Sequence, residues 1–397
     1  MLLARKIRLL LTEEQEVLFK KSAGTARWSY NFYLSEVNRV YKEYLDNGKQ
    51  GKKSISEGEV RKYINNVLKP DTHKWLSEVS SNVMKQGVKD AATAYDRFFK
   101  GISGKPSFKA KNREKPSFYV NYESLKKVPN GFRGEKLGFV RTAEPLPDLK
   151  PDTKYSNPHI TFDGKYWYLS VGYEVAEEQE TPMGEVIGID LGIKELAVCS
   201  NGKFYKNINK TRKVRRIKKH LKRKQRKLAR QLRANTKEYK EVNGYPVPVF
   251  ERRLSECKNI QKTKQEIKLL YRRLTNIRNN HLHQTTSEIV KAKPSQVVME
   301  DLNVSGMMKN KHLAEAIQEQ KWYEFRRQME YKCKRNNIKF STAPRFYASS
   351  KLCSNCGNKK VDLTLNDRTY ICEHCGFVID RDLNASINLA HCYMDIA

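Results

Sequence analysis

Acidic residues are scarce in this chain: 44 Asp and Glu face 77 Lys and Arg, a formal charge of +33. A chain so short of negative charge cannot neutralise itself, and its self-repulsion opposes compaction until a polyanion supplies what is missing. Nucleic acid is the expected partner, bound through phosphates in a salt-dependent way, and composition alone does not separate DNA from RNA. A ribosome-associated protein or a membrane-surface binder would carry the same excess. Long apolar runs are missing too. None approaches the ~20 residues of a helical bilayer span, so no membrane partner is expected. The opening Met1 to Leu11 mixes leucines with Arg5, Lys6 and Arg8 and has no small-residue cleavage site, which argues against a secretory signal. Nor is cysteine spread as a disulfide framework. Of eight, Cys199, Cys257, Cys333 and Cys392 are scattered, and the other four form two tight pairs. Without an export signal, that distribution favours metal over disulfides.

What is present fills two or three packed domains, with 397 residues of which 39% are hydrophobic. Residues 4 to 11 read as a strand; Thr12 and Gln15 then have capping-box spacing and open a helix. Val37, Val40, Tyr41 and Tyr44 recur at helical spacing, as do Val83, Gly87, Ala91, Ala94 and Phe98. Residues 12–101 therefore form a helical subdomain, closed by Gly101, Gly104 and Pro106. Beyond it the period shortens, and His159 to Val171 reads as a β-hairpin turning at Asp163-Gly164. The first strand and this β-rich segment, 1–11 and 102–180, make one sheet domain with the helices inserted. Phe108, Phe118, Tyr119 and Tyr122 lie there among Lys105, Lys109, Lys111, Arg113 and Lys115. They are either nucleotide-stacking aromatics or β-core aromatics with solvated lysines between them.

The second half opens with an apolar strand, Val186 to Ile189, then a second strand, Glu195 to Cys199, and a turn at Asn201-Gly202. From Lys206 to Arg233 there are 15 Lys or Arg and no acid. A solvated helix face normally mixes signs, so this one is expected to face phosphates. Arg212, Lys213, Arg215, Arg216, Lys219, Arg223 and Arg226 are its candidate contacts. A looser stretch with Asn243-Gly244, Pro246 and Pro248 leads to a second helix, about Lys262 to Lys291, giving a basic helical hairpin over 204–291. His281 and His283, two apart, would point to different helix faces and make no metal pair. A helix at about Leu313 to Asn336 and a strand near Ile338 to Thr342 follow.

Two patterns carry chemistry. Cys353-Ser-Asn-Cys356 and Cys372-Glu-His-Cys375 are knuckles of the kind that give four thiolates to one tetrahedral zinc, with Gly357 and Gly376 in the tight turns. A closed four-thiolate site has no open position, so that metal would be structural. The second pattern is three carboxylates. Asp190 ends the run Val186-Ile-Gly-Ile189, Glu300 ends Val297-Val-Met299, and Asp382 precedes a short helix at Ala385 to Leu389. All-apolar strands are central in a sheet, and a carboxylate at the end of one is costly to desolvate unless a cation meets it. Singly, each acid has a plain structural explanation; Asp382, for one, would answer a helix macrodipole. Together they suit phosphodiester hydrolysis, in which two Mg²⁺ ions ~3.5–4 Å apart need hard oxygen ligands.

Gly188-Ile-Asp-Leu-Gly-Ile193, Glu300-Asp-Leu-Asn-Val304 and Asp382-Leu-Asn-Ala-Ser386 resemble the three RuvC motifs of the TnpB family, insertion-sequence-encoded relatives of compact type V CRISPR effectors. The cysteine pairs fall between the second and third motifs, where that family carries a zinc ribbon, and Ser350-Lys-Leu-Cys353 looks like the entry into it. The similarity is strong from about 185 to 390 and weak before, at Ala26-Arg27, Asn31 and Pro106-Ser-Phe108. The resemblance implies a multidomain α/β protein. A RuvC/RNase H-like nuclease domain would span 181–345 and 380–397, with a zinc ribbon at 346–379. Ahead of it would stand a wedge-like β domain, 1–11 and 102–180, carrying an inserted helical recognition domain, 12–101. It implies a guide RNA, double-stranded target DNA with a short flanking motif, and a cytoplasmic, nucleoid-associated location of prokaryotic type. By position, Asp190, Glu300 and Asp382 would hold two Mg²⁺ or Mn²⁺ ions. Cys353, Cys356, Cys372 and Cys375 would hold Zn²⁺, and Arg381 would contact the scissile phosphate. The stretch at 235–261 is longer than the family's usual connection, and Ser386 stands where alanine is common. Rival readings are an RNA-guided repressor with an idle site, a strand-transferring transposase and a guide-independent nuclease. The presence of all three acids argues against a nuclease-dead repressor, and binding without cleavage in Mg²⁺ would favour one whose site is intact but idle.

Overall fold

Alternation sets the first strand: in β1 (Leu2–Leu10), Ile7 and Leu9 are buried while Lys6, Arg8 and Leu10 are exposed. Thr12 then caps α1 (Glu13–Asp46), forming with Gln15 the reciprocal box expected from their spacing. The computed structural model describes residues 1–175, 182–242, 244–364 and 367–392. The chain divides into two compact units, Met1–Val175 and Ala176–Ala397; the expected boundary near 180 falls outside the described residues, as do Asn243 and residues 393–397.

In the first unit α1 is followed by α2 (Glu57–Tyr63) and α3 (Ser81–Phe99), then β2 (Ser117–Tyr119), β3 (Lys126–Val128), β4 (Gly131–Gly134), β5 (Gly138–Thr142), β6 (Ser156–Phe162) and β7 (Trp167–Glu174). These strands form a sheet of order β2-β6-β7-β1-β5-β4-β3, so the first strand is central. Its core joins Ile7, Phe118, Phe132, Ile160 and Leu169 to Phe19 and Val83 of the helices, and a second core around Leu34, Val60, Ile64 and Val88 binds the helices together. A Cβ on Gly87 would lie 2.8 Å from Ala26 O, so this glycine lets α3 meet α1 closely. The aromatics among the lysines divide: Phe118 is core, whereas Phe108 and Tyr122 are exposed.

The second unit runs β8 (Ile187–Leu191), β9 (Glu195–Cys199), β10 (Phe204–Lys206), α4 (Arg212–Ala234), β11 (Thr236–Val242), β12 (Tyr245–Phe250), α5 (Lys258–Lys291) and β13 (Gln296–Met299). It continues with α6 (Val304–Met307), α7 (Ala314–Gln320), α8 (Trp322–Arg335), β14 (Lys339–Thr342), β15 (Thr369–Ile371), β16 (Val378–Asp380) and α9 (Arg381–His391). The main sheet has order β10-β9-β8-β13-β14, with β10, β9 and β8 antiparallel and β8, β13 and β14 parallel. One side, through Ile187, Ile189 and Met299, packs on Leu282 and Ile289 of α5 and on Trp322, Phe325 and Met329 of α8. The other, through Val298, packs on Leu389 and Cys392.

Four local expectations need correction. The stretch after α4 is not loose: β11 and β12 pair as an antiparallel ribbon, because Pro246 and Pro248 sit opposite Glu241 and Tyr239 at positions that a two-stranded edge tolerates. The helix expected over Leu313 to Asn336 breaks at Lys321, whose φ of 55° is left-handed, into α7 and α8. Asp190 lies one residue before the end of β8 instead of closing the strand. The last helix starts at Arg381, capped by Asp380, so Asp382 stands inside its first turn.

Candidate active site

Register brings the first two carboxylates together. β13 pairs in parallel with β8, Val298 opposite Gly188 and Met299 opposite Ile189. One step further, Glu300 follows its strand directly beside Asp190, on strands ~4.8 Å apart. The third acid arrives through α9. A Cβ on Gly188 would lie 2.0 Å from Ser386 O and 2.5 Å from Ala390 N, so only glycine lets that helix settle on β8. Gly188 and Asp190 share a strand face, and Asp382 and Ser386 share a helix face, so this contact turns Asp382 towards Asp190.

The electrostatics agree with that geometry. The Asp190 carboxyl is half-buried and held well above the usual carboxylate range. Burial is the main cause, followed by the charge of Glu300, a hydrogen bond to Glu300 and the charge of Asp382, with Arg381 pulling the other way. Arg381 Nε and Nη2 both donate to Asp382 Oδ1, at 3.1 and 2.8 Å, which leaves Oδ2 without a partner among the described residues. The three acids do not all close on one another: among the described residues, only the four cysteines form a set of three or more donors within 4.8 Å of each other. Asp190 and Glu300 touch, and Asp382 is drawn to its arginine.

Sequence spacing held no sign of Ser349. Its hydroxyl donates to Glu300 Oε1 at 3.0 Å, and its carbonyl accepts from Asn388 Nδ2 of α9 at 2.7 Å. The same helix anchors the first cysteine knuckle: Asn384 Nδ2 donates to Leu352 O at 2.6 Å, and Ser354 N donates to Asn384 Oδ1 at 2.9 Å.

The cysteine pairs meet as their spacing required. Cys353 and Cys375 sulfurs lie 3.7 Å apart, and those of Cys356 and Cys372 3.6 Å. A disulfide would bring sulfurs to about 2.05 Å. A tetrahedron of Zn–S bonds of ~2.3 Å has edges of about 3.8 Å, so the four residues fit a tetrahedral thiolate site. The Asn355 amide beside Cys375, with the Phe377 N–H, brings that thiol down to about 6, while burial holds Cys353 above its usual range.

On α4, Val214, Ile217 and Leu221 pack against Leu274 of α5. The opposite side carries Arg212, Lys213, Arg215, Arg216, Lys219, Arg223 and Arg226, all exposed and without a carboxylate partner among the described residues. Lys218 and Lys224 differ, being paired with Glu315 and Glu319 and with Glu266. Among the described residues no helix is long and apolar enough to cross a membrane.

Three family models match this chain: a helix-turn-helix domain of the OrfB/IS605 type over 1–46, a probable transposase over 170–244 and 247–311, and the Cas12f1-like TNB domain over 322–389. A protein of Streptomyces pristinaespiralis is 28% identical, over 97% of this chain and 88% of its own length. InsQ of Escherichia coli K12 is 26% identical, over 97% and 91%. Both carry the name "Putative RNA-guided DNA endonuclease". In three dimensions the chain is similar to a solved Cas12f1–sgRNA–target DNA complex, with a TM-score of 0.52 and 15% identity over 96% of this chain and 83% of that one. That likeness is one of fold.

Proposed function

Because the chain belongs to the TnpB family, we propose that it is an RNA-guided DNA endonuclease of a transposable element. It would cut guide-matched double-stranded DNA beside a short flanking motif. The observation that carries this reading is the pairing of Asp190, inside β8, with Glu300, just past the end of the adjacent parallel strand β13, with Asp382 brought up by α9. The strand order supports an RNase H-like, RuvC-type nuclease domain, and the charge of +33 supports guide RNA and target DNA as partners.

Asp190, Glu300 and Asp382 would hold two Mg²⁺ or Mn²⁺ ions, and the donor set fits: oxygens only, one carboxyl already disfavoured as an anion by burial and by its neighbours. Bound divalent ions would supply an activated water and neutralise charge on the leaving oxygen. The chain's own groups do the positioning. Ser349 orients Glu300, and Arg381 fixes one oxygen of Asp382 and leaves the other to ligate. Arg381 itself would contact the scissile phosphate. Cys353, Cys356, Cys372 and Cys375 would hold one structural Zn²⁺. The exposed arginines and lysines of α4 would follow a nucleic-acid backbone, leaving sequence to base pairing.

The test is cleavage of a matched duplex by the guide-loaded protein in Mg²⁺. Asp190→Ala is expected to lose at least on the order of 10³-fold in rate while retaining guide binding. Undiminished cutting by that variant, or cutting without RNA, would overturn the proposal.

A further inference from the structure

Beside Glu300 the second unit opens a cavity of about 260 Å³. Leu191, Met299, Val304 and Trp322 give it an apolar lining, and Glu300 itself stands in the wall. Arg326 of α8 and Arg345, which follows β14, form a charged side. Asp301, the residue after Glu300, ties these guanidiniums together. Arg326 Nη1 donates to its Oδ1 at 2.9 Å, and Arg345 Nε and Nη2 donate to its Oδ2 at 3.0 and 2.8 Å. Arg326 Nε also donates to Glu330 Oε1 at 3.0 Å.

These bonds leave Arg326 Nη2 and Arg345 Nη1 without a protein acceptor among the described residues. An arginine held by carboxylate along one edge has little rotamer freedom left to lose, so its remaining N–H groups are pre-organised for an oxyanion such as a phosphate. The same cavity is bordered by Tyr323, 72% exposed in the first turn of α8. Ion pairing alone would explain how Asp301 is held. It does not explain an open apolar hollow and an exposed aromatic ring against a carboxylate of the candidate metal site. An apolar hollow bordered by an aromatic ring suits the face of a nucleobase, and two fixed guanidiniums suit the phosphate attached to it.

We propose that this cavity receives one unstacked nucleotide of the DNA strand being cut, adjacent to the scissile phosphodiester. Its base lies in the apolar hollow against Tyr323, and its phosphate meets Arg326 and Arg345. The pocket thereby holds the strand out of the duplex and sets the distance between the scissile phosphate and the carboxylates. Tyr323, Arg326 and Arg345 are positioning residues, since the reacting atoms lie at the acids. The subsite rests on the endonuclease reading given above.

The experiment places 2-aminopurine at successive positions of the target strand, bound to the guide-loaded protein in Ca²⁺, with a matching series on the free single strand. The same positions are then made abasic and cleavage is timed in Mg²⁺. One position next to the cut should show a fluorescence change that Tyr323→Ala abolishes and Tyr323→Phe retains. Arg345→Gln should weaken it. An abasic nucleotide at that position should slow cutting by about 10-fold in the parent, near the lower end of base–aromatic stacking, and add nothing in Tyr323→Ala. The subsite is overturned if no position responds, or if the response survives Tyr323→Ala, even while the duplex is cut normally. The endonuclease reading is overturned instead if the parent never cuts, and the fluorescence series, which needs no cleavage, still decides the subsite in that case.

Discussion

The cysteine cluster and the carboxylate cluster gather donor atoms in opposite ways. The four sulfurs come from two hairpin turns and already stand at tetrahedral spacing, 3.6–3.7 Å along two edges. The carboxylates come from two strands and a helix; two touch, and the third is engaged by Arg381. Soft thiolates on short loops can close a site locally, whereas hard anions repel one another and converge only where a rigid scaffold imposes it. The first arrangement suits a metal that holds structure, the second one that exchanges ligands during a reaction.

Breaking the closed site should have the larger effect on the protein itself. Cys372→Ser is expected to take zinc content from one ion per chain to none and to expose residues 346–379 to protease. Structural zinc of this kind contributes about 10–16 kcal/mol in isolated peptides. Metal analysis with limited proteolysis checks it, and retained zinc would mean that the four sulfurs do not act as a set. Asp190→Ala should leave zinc content unchanged.

The charged helix offers an intermediate test. Arg216→Glu with Arg223→Glu should weaken nucleic-acid binding most at low salt. The slope of log affinity against log salt should fall by about 1 for each phosphate that is no longer neutralised. An unchanged slope would make that face of α4 a bland solvated one.

A smaller effect separates the acids by pH. Asp190 binds its proton more tightly folded than unfolded. The contribution of Asp190 to metal-free stability should therefore be fully present below about pH 3.9, the unfolded value, and be lost as pH rises from there towards the raised folded value. Asp190→Asn should flatten that fall, and Mg²⁺ should raise the melting temperature more at pH 8 than at pH 5. A Mg²⁺ effect equal at both would place the ions elsewhere.

Lys332 supplies the opposite sign and the smallest expected change. Its amine donates to His283 O, Thr286 Oγ1 and Ser287 Oγ, at 2.9, 2.6 and 2.8 Å, and burial brings it down to about 8. Unfolded chains keep that proton to about 10.4, so stability should rise between those values, and Lys332→Met should remove the rise. Melts from pH 7 to 10.5 would show it.

Legibility tracked the range of the interaction. Thr12 and Gln15 predicted a helix start because a capping box involves neighbours only. The cysteine knuckles and the strand from Glu195 to Cys199 were equally plain. The break at Lys321 and the ribbon after α4 were not, because a left-handed residue and a strand pairing across two prolines are choices made against competing local preferences. Ser349, Arg326 and Arg345 carry no spacing signal at all, and Asp301 is legible only as part of a motif; their roles exist only through contacts between distant segments.

The amino-acid order by itself settled the excess of positive charge, the donor types available for metals and the periods of most helices and strands, since these depend on residue identity and near neighbours. The tertiary structure alone decided that Asp190 lies beside Glu300, that Gly188 admits α9 with Asp382, and that a cavity opens next to them. Those facts depend on strand register and on the approach of backbones to within one missing Cβ, and such distances are fixed only when the whole sheet has packed.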